Sequence, residues 1–250
     1  MPQFSDDLFL GSAQTYMGIN TNSALGDPSP MDLGVGPLGR IYVWDVVPAT
    51  KQAANIAASQ TPAAAGNLTL TAGTSATSVV LANGSTVIQL DCPRAVSVAQ
   101  AASGTQRTFT VSGYDWYGQA MSEAITSTVN ATVVGKKAFY QILSIAVSGA
   151  TTTACTVGTG DVFGCPVKIA DLAYVAHTGW AATLGEDAAT GVAADTATAT
   201  TTTGDVRGTI APSSAANGTR RLVVGVLLPA LACGPNSTRA GALGVNQNLA

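Results

Sequence analysis

Arg107-Thr108-Phe109-Thr110-Val111-Ser112-Gly113-Tyr114-Asp115-Trp116-Tyr117-Gly118-Gln119-Ala120-Met121-Ser122-Glu123 is the stretch that decides the fold class. Its first six residues alternate strictly. Phe109 and Val111 fall on one side, to be turned inward, and Thr108 and Thr110 on the other. That period of two belongs to a half-buried strand and not to a helix. Residues 113–119 then supply glycines and a turn aspartate, and a threonine-rich run follows over 120–129. The pattern predicts strand, turn, strand.

The same period extends in both directions. Leucines alternate with polar groups over 67–71, and Ile88 and Leu90 share a face of 86–91. Between those runs lies Ala82-Asn83-Gly84-Ser85, and Asn-Gly is a strong two-residue hairpin signal. Residues 137–147 form the longest candidate, with Leu143, Ile145 and Val147 expected on one face. Upstream, 40–47 is β-branched and aromatic and is ended by Pro48. Residues 51–60 are alanine-rich and read as a short helix or a loop closed by Pro62. Downstream, 155–157, 167–170, 172–176, 207–211 and 221–228 are short strands at turn-punctuated spacing. No long amphipathic helix appears. Consecutive short strands must cover one another's apolar faces, so the expected class is all-β, a jelly-roll-like or related two-sheet β-sandwich.

Composition divides the chain into three parts. Residues 1–39 lack periodicity and are broken by Asp27-Pro28-Ser29-Pro30 and Gly34-Val35-Gly36-Pro37. They nevertheless carry Phe4, Leu8, Phe9 and Leu10, then Tyr16, Met17 and Ile19. The expected structure is an extended N-terminal arm that packs on its own domain or on a neighbour. Residues 40–232 form the sandwich, and 233–250 read as a flexible polar tail. Within the sandwich, Thr196-Ala197-Thr198-Ala199-Thr200-Thr201-Thr202-Thr203-Gly204 has no large apolar anchor and reads as a loop or a weakly packed edge.

Charge and rare residues exclude several functions. Only 10% of residues are charged and the net charge is -3, against roughly 25% charged in ordinary soluble domains. No broad basic face exists for nucleic acid. Lys136-Lys137 and Arg220-Arg221 are the adjacent basic pairs and read as solvated strand ends. The apolar run 222–232 is interrupted by Gly225 and Pro229 and falls short of the ~20 residues a membrane helix needs. Acidic Asp6-Asp7 stands where a secretory leader would be basic, so synthesis in a cytoplasm is expected. His177 is the only histidine, which removes two-histidine metal sites and leaves no plausible serine-histidine triad. Asp115, Asp161 and Asp171 read as turn aspartates bonding local amides, and Glu186-Asp187 with Asp195 as a loose acidic group without calcium-loop spacing. Cys92, Cys155, Cys165 and Cys233 form no C-x-x-C pair and read as reduced, mostly buried residues, a Cys155–Cys165 bridge being the alternative. No catalytic group, cofactor site or metal site is expected.

The turn Tyr114-Asp115-Trp116-Tyr117 is the most unusual local feature. Aromatic residues on a turn bury much area at low entropy cost. They serve either as a contact with another subunit or a glycan, or as a plug closing one end of the sandwich.

The stretch 107–123 resembles a strand–D-x-x-G-Q–strand hairpin of tailed-bacteriophage structural proteins. Val134-Gly135-Lys136-Lys137-Ala138-Phe139, Gly158-Thr159-Gly160-Asp161-Val162-Phe163-Gly164-Cys165-Pro166 and Thr203-Gly204-Asp205-Val206-Arg207-Gly208-Thr209 are similar to the same pattern. The likeness covers about the middle and C-terminal thirds; the N-terminal forty residues add nothing to it. It implies a non-enzymatic head decoration or cement protein on the capsid exterior, with the major capsid protein as partner and a homo-oligomeric state, dimer or trimer. Tyr114, Asp115, Trp116 and Tyr117 would then be an interface loop, and Phe4, Leu8, Phe9 and Leu10 an interface arm. A tail, neck or fibre component and a glycan-binding sandwich module are the alternatives. A neutral, hydroxyl-rich surface suits such packing at high copy number.

Overall fold

The period-two runs become antiparallel strands wherever one face can be buried. The computed structural model describes residues 40–169, 172, 175–180, 189–195 and 199–228; the expected arm 1–39 and tail 233–250 lie outside them. The strands are β1 (Arg40–Val46), β2 (Ala57–Gln60), β3 (Gly66–Asn67), β4 (Ala76–Val80), β5 (Thr86–Gln100), β6 (Thr108–Tyr114) and β7 (Ala120–Thr126). They continue with β8 (Ala131–Val147), β9 (Cys155–Gly164), β10 (Val175–Trp180), β11 (Thr190–Val192), β12 (Thr209–Ala211) and β13 (Leu222–Leu228). Among the described residues there is no α-helix. The fold is an all-β sandwich of two unequal sheets. The large one runs β11-β12-β9-β5-β8-β6-β7, with β2, β3 and β4 added on β9, β8 and β5; the small one is β1-β13-β10.

Two cores follow from this arrangement. The large sheet curls around Phe109, Val111, Ile142, Ile145, Val98 and Val157. Its other end packs Phe163, Val167, Ile169 and Ile210 against Trp44, Trp180, Leu222 and Val224 of the small sheet. Strand β5 joins the two cores and is buried without interruption from Cys92 to Val98, as expected of a strand covered on both faces.

The curl is made by three irregularities that meet at residues 94–96 of β5. Residues 90–93 of β5 stand opposite the single Tyr140 of β8, and residues 135–137 of β8 opposite the single Val96. Residues 160–162 of β9 stand opposite the single Ala95. Extra residues on one strand bend it and strengthen its twist, so three such sites around one short segment fold the sheet over. Gly158 marks how closely the layers approach. A Cβ there would lie 1.9 Å from the Gln52 carbonyl oxygen, which instead accepts the Thr159 amide at 2.9 Å.

Several expectations are corrected here. Residues 51–60 hold no helix; they are a loop followed by β2. Ile142, not Leu143, joins Ile145 and Val147 in the core, because one extra residue of β8 between the Ser112 and Gly113 pairings shifts the alternation. Lys137 is no solvated strand end but is 3% exposed in mid-strand. Val167 and Ile169 are buried without being in a strand, and of the run expected at 172–176 only the end is strand, as the start of β10 at Val175. Cys155 and Cys165 are free and buried. They stand at opposite ends of β9 in different cores, whereas a disulfide needs Cα atoms within roughly 7 Å.

The Asn83-Gly84 turn closes a hairpin with Gly84 at φ 83°, but its first strand is β4 and not the run 67–71. Val80 stands opposite Thr86, so the loop is longer than two residues, while of the earlier run only Asn67 is in a strand, β3, which pairs with β8.

Candidate functional site

Bulged strands leave backbone amides without ladder partners, and in the interior each must be satisfied. Buried charge does this at the bend. The Glu123 carboxylate, reaching from β7, accepts the Lys136 amide at 2.5 Å and the Lys137 amide at 3.2 Å. Asp205 Oδ2 accepts the Ala138 amide at 2.9 Å and its Oδ1 the Arg207 amide at 2.8 Å. Three consecutive amides, the last two of the β8 bulge and that of Ala138 next to it, are thus held by two carboxylates. Gly135 is required beside them, since a Cβ there would meet Glu123 Oε2 at 2.4 Å. The Lys137 ammonium donates to the Thr200 carbonyl at 2.5 Å, and the Thr201 carbonyl accepts the Ala124 amide of β7 at 2.8 Å. The described part of the threonine-rich run, residues 199–204, is therefore a loop whose Thr200 and Thr201 carbonyls cap the bulge lysine and the sheet edge.

On the β5 side, Arg94 is fully buried. It donates to Gly160 O and Ala49 O at 2.9 Å, to Asp161 Oδ1 at 2.9 Å and to both Asp91 oxygens at 3.1–3.2 Å. Its guanidinium carbon lies 5.1 Å from the Phe163 ring centroid. Asp161, expected to bond local amides, is instead the carboxylate partner of this arginine and of Lys51, at 3.6 Å. Two Gly-Asp-Val tripeptides, 160–162 and 204–206, supply the aspartates of both arrangements. That repetition is the signal in the sequence from which the pair could have been suspected.

Burial pushes the Glu123 carboxyl above its ordinary range, against the lowering effect of the two amides and of Lys137 and Lys136; Asp205 is raised for the same first reason. A carboxyl with a raised folded-state pKa binds its proton more tightly in the native chain than in the unfolded one. Its contribution to stability is fully present below the unfolded pKa and is lost as pH rises through the folded one. Glu123→Gln mimics the protonated group. It should match the parent in thermal midpoint at about pH 4, near the unfolded carboxylate value, and gain on it as the pH rises above that. A midpoint difference that stays flat, or that moves against the variant with rising pH, contradicts this.

The expected interface turn sits between β6 and β7 and is rigid. Asp115 Oδ1 accepts the amides of Tyr117 at 2.8 Å and Gln119 at 2.9 Å, and Gly118 adopts φ 76°. Asp115 Oδ2 accepts from Arg207 at 2.7 Å, both side chains being buried. The Arg207 guanidinium lies 4.8 Å from the Tyr117 ring centroid, and the Tyr117 hydroxyl donates to the Pro166 carbonyl at 2.9 Å. Trp116 is 44% exposed and rests on Tyr140, ring centroids 4.6 Å apart at 54°.

The four expected residues therefore divide. Asp115 is an anchor, Tyr117 is half anchor and half surface, Trp116 faces outward, and Tyr114 ends β6. The arm residues Phe4, Leu8, Phe9 and Leu10 lie outside the described residues, as do Asp171, Glu186, Asp187 and Cys233.

Tyr114 also begins a row not foreseen from the sequence. It pairs with Gln141 of β8, which pairs with Gln89 of β5, which pairs with Thr77 of β4. Paired residues share a face, and the Gln141 amide donates to Gln89 Oε1 at 3.0 Å. One step along the sheet, Ser122, Ser112 and Ser144 form a parallel row across β7, β6 and β8. On the opposite face, an open depression of about 570 Å³ is lined by Leu70, Thr71, Ala72, Ser78, Thr86, Ile88 and Leu143. Among the described residues no group of three or more His, Cys, Asp or Glu side chains could hold a metal.

No protein-family model matches the chain, and no curated protein and no solved structure matches it significantly.

Proposed function

We propose that the chain is a non-enzymatic structural protein of a bacteriophage virion, a head decoration or cement protein bound to the outside of the major capsid protein shell. The observation that carries this reading is the β6–β7 hairpin. Its sequence resembles that of tailed-phage structural proteins, and the residues that make the resemblance, Asp115, Gly118 and Gln119, are the ones that build the turn. The bent, internally braced sandwich supports it further. A protein that works by covering joints needs rigidity and area, not a cleft. Its neutral surface lets copies pack closely, and each contact needs only about 1,000 Å² when many act together. The arm 1–39, with Phe4, Leu8, Phe9 and Leu10, is the proposed grip on the shell, and the protein is proposed to assemble there as a dimer or trimer.

Quantifying the chain against the major capsid protein in purified particles tests the reading. Copy numbers on the order of hundreds, set by the shell's symmetry, are expected. A few copies confined to one vertex would replace it with a tail, neck or fibre role.

A further inference from the structure

We infer that the outer face of the large sheet, beside the Asp115–Gly118 turn, binds a neutral polysaccharide. This goes beyond shell attachment, which is assigned to the arm, and does not depend on it.

Three features meet there. The first is an aromatic platform: Trp116, 44% exposed, against Tyr140 at a ring angle of 54°. Aromatic faces stack on the C–H faces of sugar rings because both are apolar, and the exposed ring loses little entropy on binding since its turn is already fixed. Fixing is done by Asp115, through two amides and Arg207, so the platform is preorganised.

The second is the polar row Tyr114, Gln141, Gln89 and Thr77. It crosses four strands, about 14 Å at ordinary strand spacing, the reach of a short oligosaccharide segment. Because Gln141 Nε2 is given to Gln89 Oε1, the two amides lock each other in place and leave Gln141 Oε1 and Gln89 Nε2 as an acceptor and a donor at one level. Hydroxyl groups, which donate and accept, match such a pair.

The third is the absence of formal charge from this row and from the adjacent serine row. A charged ligand would find no counter-charge in either. A protein hot spot would be expected to fill an apolar pocket, whereas here the aromatic pair is continued by amides and hydroxyls. Of the carboxylates beside the row, Asp91, two residues beyond Gln89 on β5, is engaged by Arg94 and the Ala49 amide, and Glu123 of β7 pairs with Val111 and is turned to the other face.

Affinity electrophoresis of the full chain tests this, in native gels containing mixed-linkage β-glucan, xyloglucan, galactomannan or dextran, with alginate as the anionic comparison. At least one neutral polymer should retard the protein. Trp116→Ala should weaken that retardation roughly ten-fold, as for an aromatic hot spot, and Gln141→Ala should weaken it several-fold. Val80→Ser, at an exposed position on β4, should not change it. Thermal melting of each variant separates lost binding from lost folding, and Gln141→Ala keeps the test open if Trp116→Ala melts early. Retardation by none of the four neutral polymers, retardation indifferent to both variants, or stronger retardation by alginate would overturn the inference. Copy number in particles reads the shell role separately, so either can fail alone.

Discussion

Arg94→Ala is expected to destabilise the protein by about 3–5 kcal/mol, the usual cost of breaking a buried ion pair by removing one partner. At roughly 2–4 °C per kcal/mol for a chain of this size, the thermal midpoint should fall by about 10 °C. The reason is the place of the side chain more than its charge. Arg94 sits where β5 meets the bulges of both neighbours. It joins the carboxylates Asp91 and Asp161 to the carbonyls of Gly160 and Ala49. Its removal leaves two mostly buried carboxylates facing each other across an empty space, together with two carbonyls that lose their donor. Asp91 Oδ2 also accepts the Ala49 amide at 2.7 Å, so the loop leading out of β1 is tied to the same point. Arg94→Lys keeps a charge but cannot fork to both carboxylates. It should recover only part of the loss. Equal midpoints for the parent and Arg94→Ala would show that the bend holds without the guanidinium.

That residue also shows what sequence can and cannot disclose here. The strands were legible because burial of one face forces strict alternation, and a slip of one residue would expose the whole apolar set. Phe109 and Val111 are both fully buried, as their pattern requires. Bulges defeat the same logic. They change the parity of the strand, and for that reason Ile142 replaces Leu143 in the core. They also free amides that attract buried charge, so Lys137 and Glu123 are enclosed where a composition rule places them in solvent. The aromatic turn announced itself by composition. Its division into anchor and surface did not, because the partner of Asp115 is Arg207, 92 positions further along the chain.

Breaking that pair is the second large expected effect. Asp115→Ala removes the acceptor of the Tyr117 and Gln119 amides together with the partner of a buried arginine, and the combined cost should again be about 3–5 kcal/mol. Two further variants separate the contributions. Asp115→Asn can keep its one oxygen on the turn amides but then turns its NH2, a donor, toward the Arg207 donors. It should keep Trp116 against Tyr140, seen as unchanged tryptophan emission, while losing stability. Arg207→Met removes the charge and leaves Asp115 with its two amides, at the expense of the guanidinium packed on Tyr117. In urea unfolding, Asp115→Ala combined with Arg207→Met should be far less destabilised than the sum of the two single changes, because each single change already strands the other partner in the interior. Strict additivity would mean that the two side chains act independently, and that the turn owes its rigidity to the Asp115 amide contacts alone.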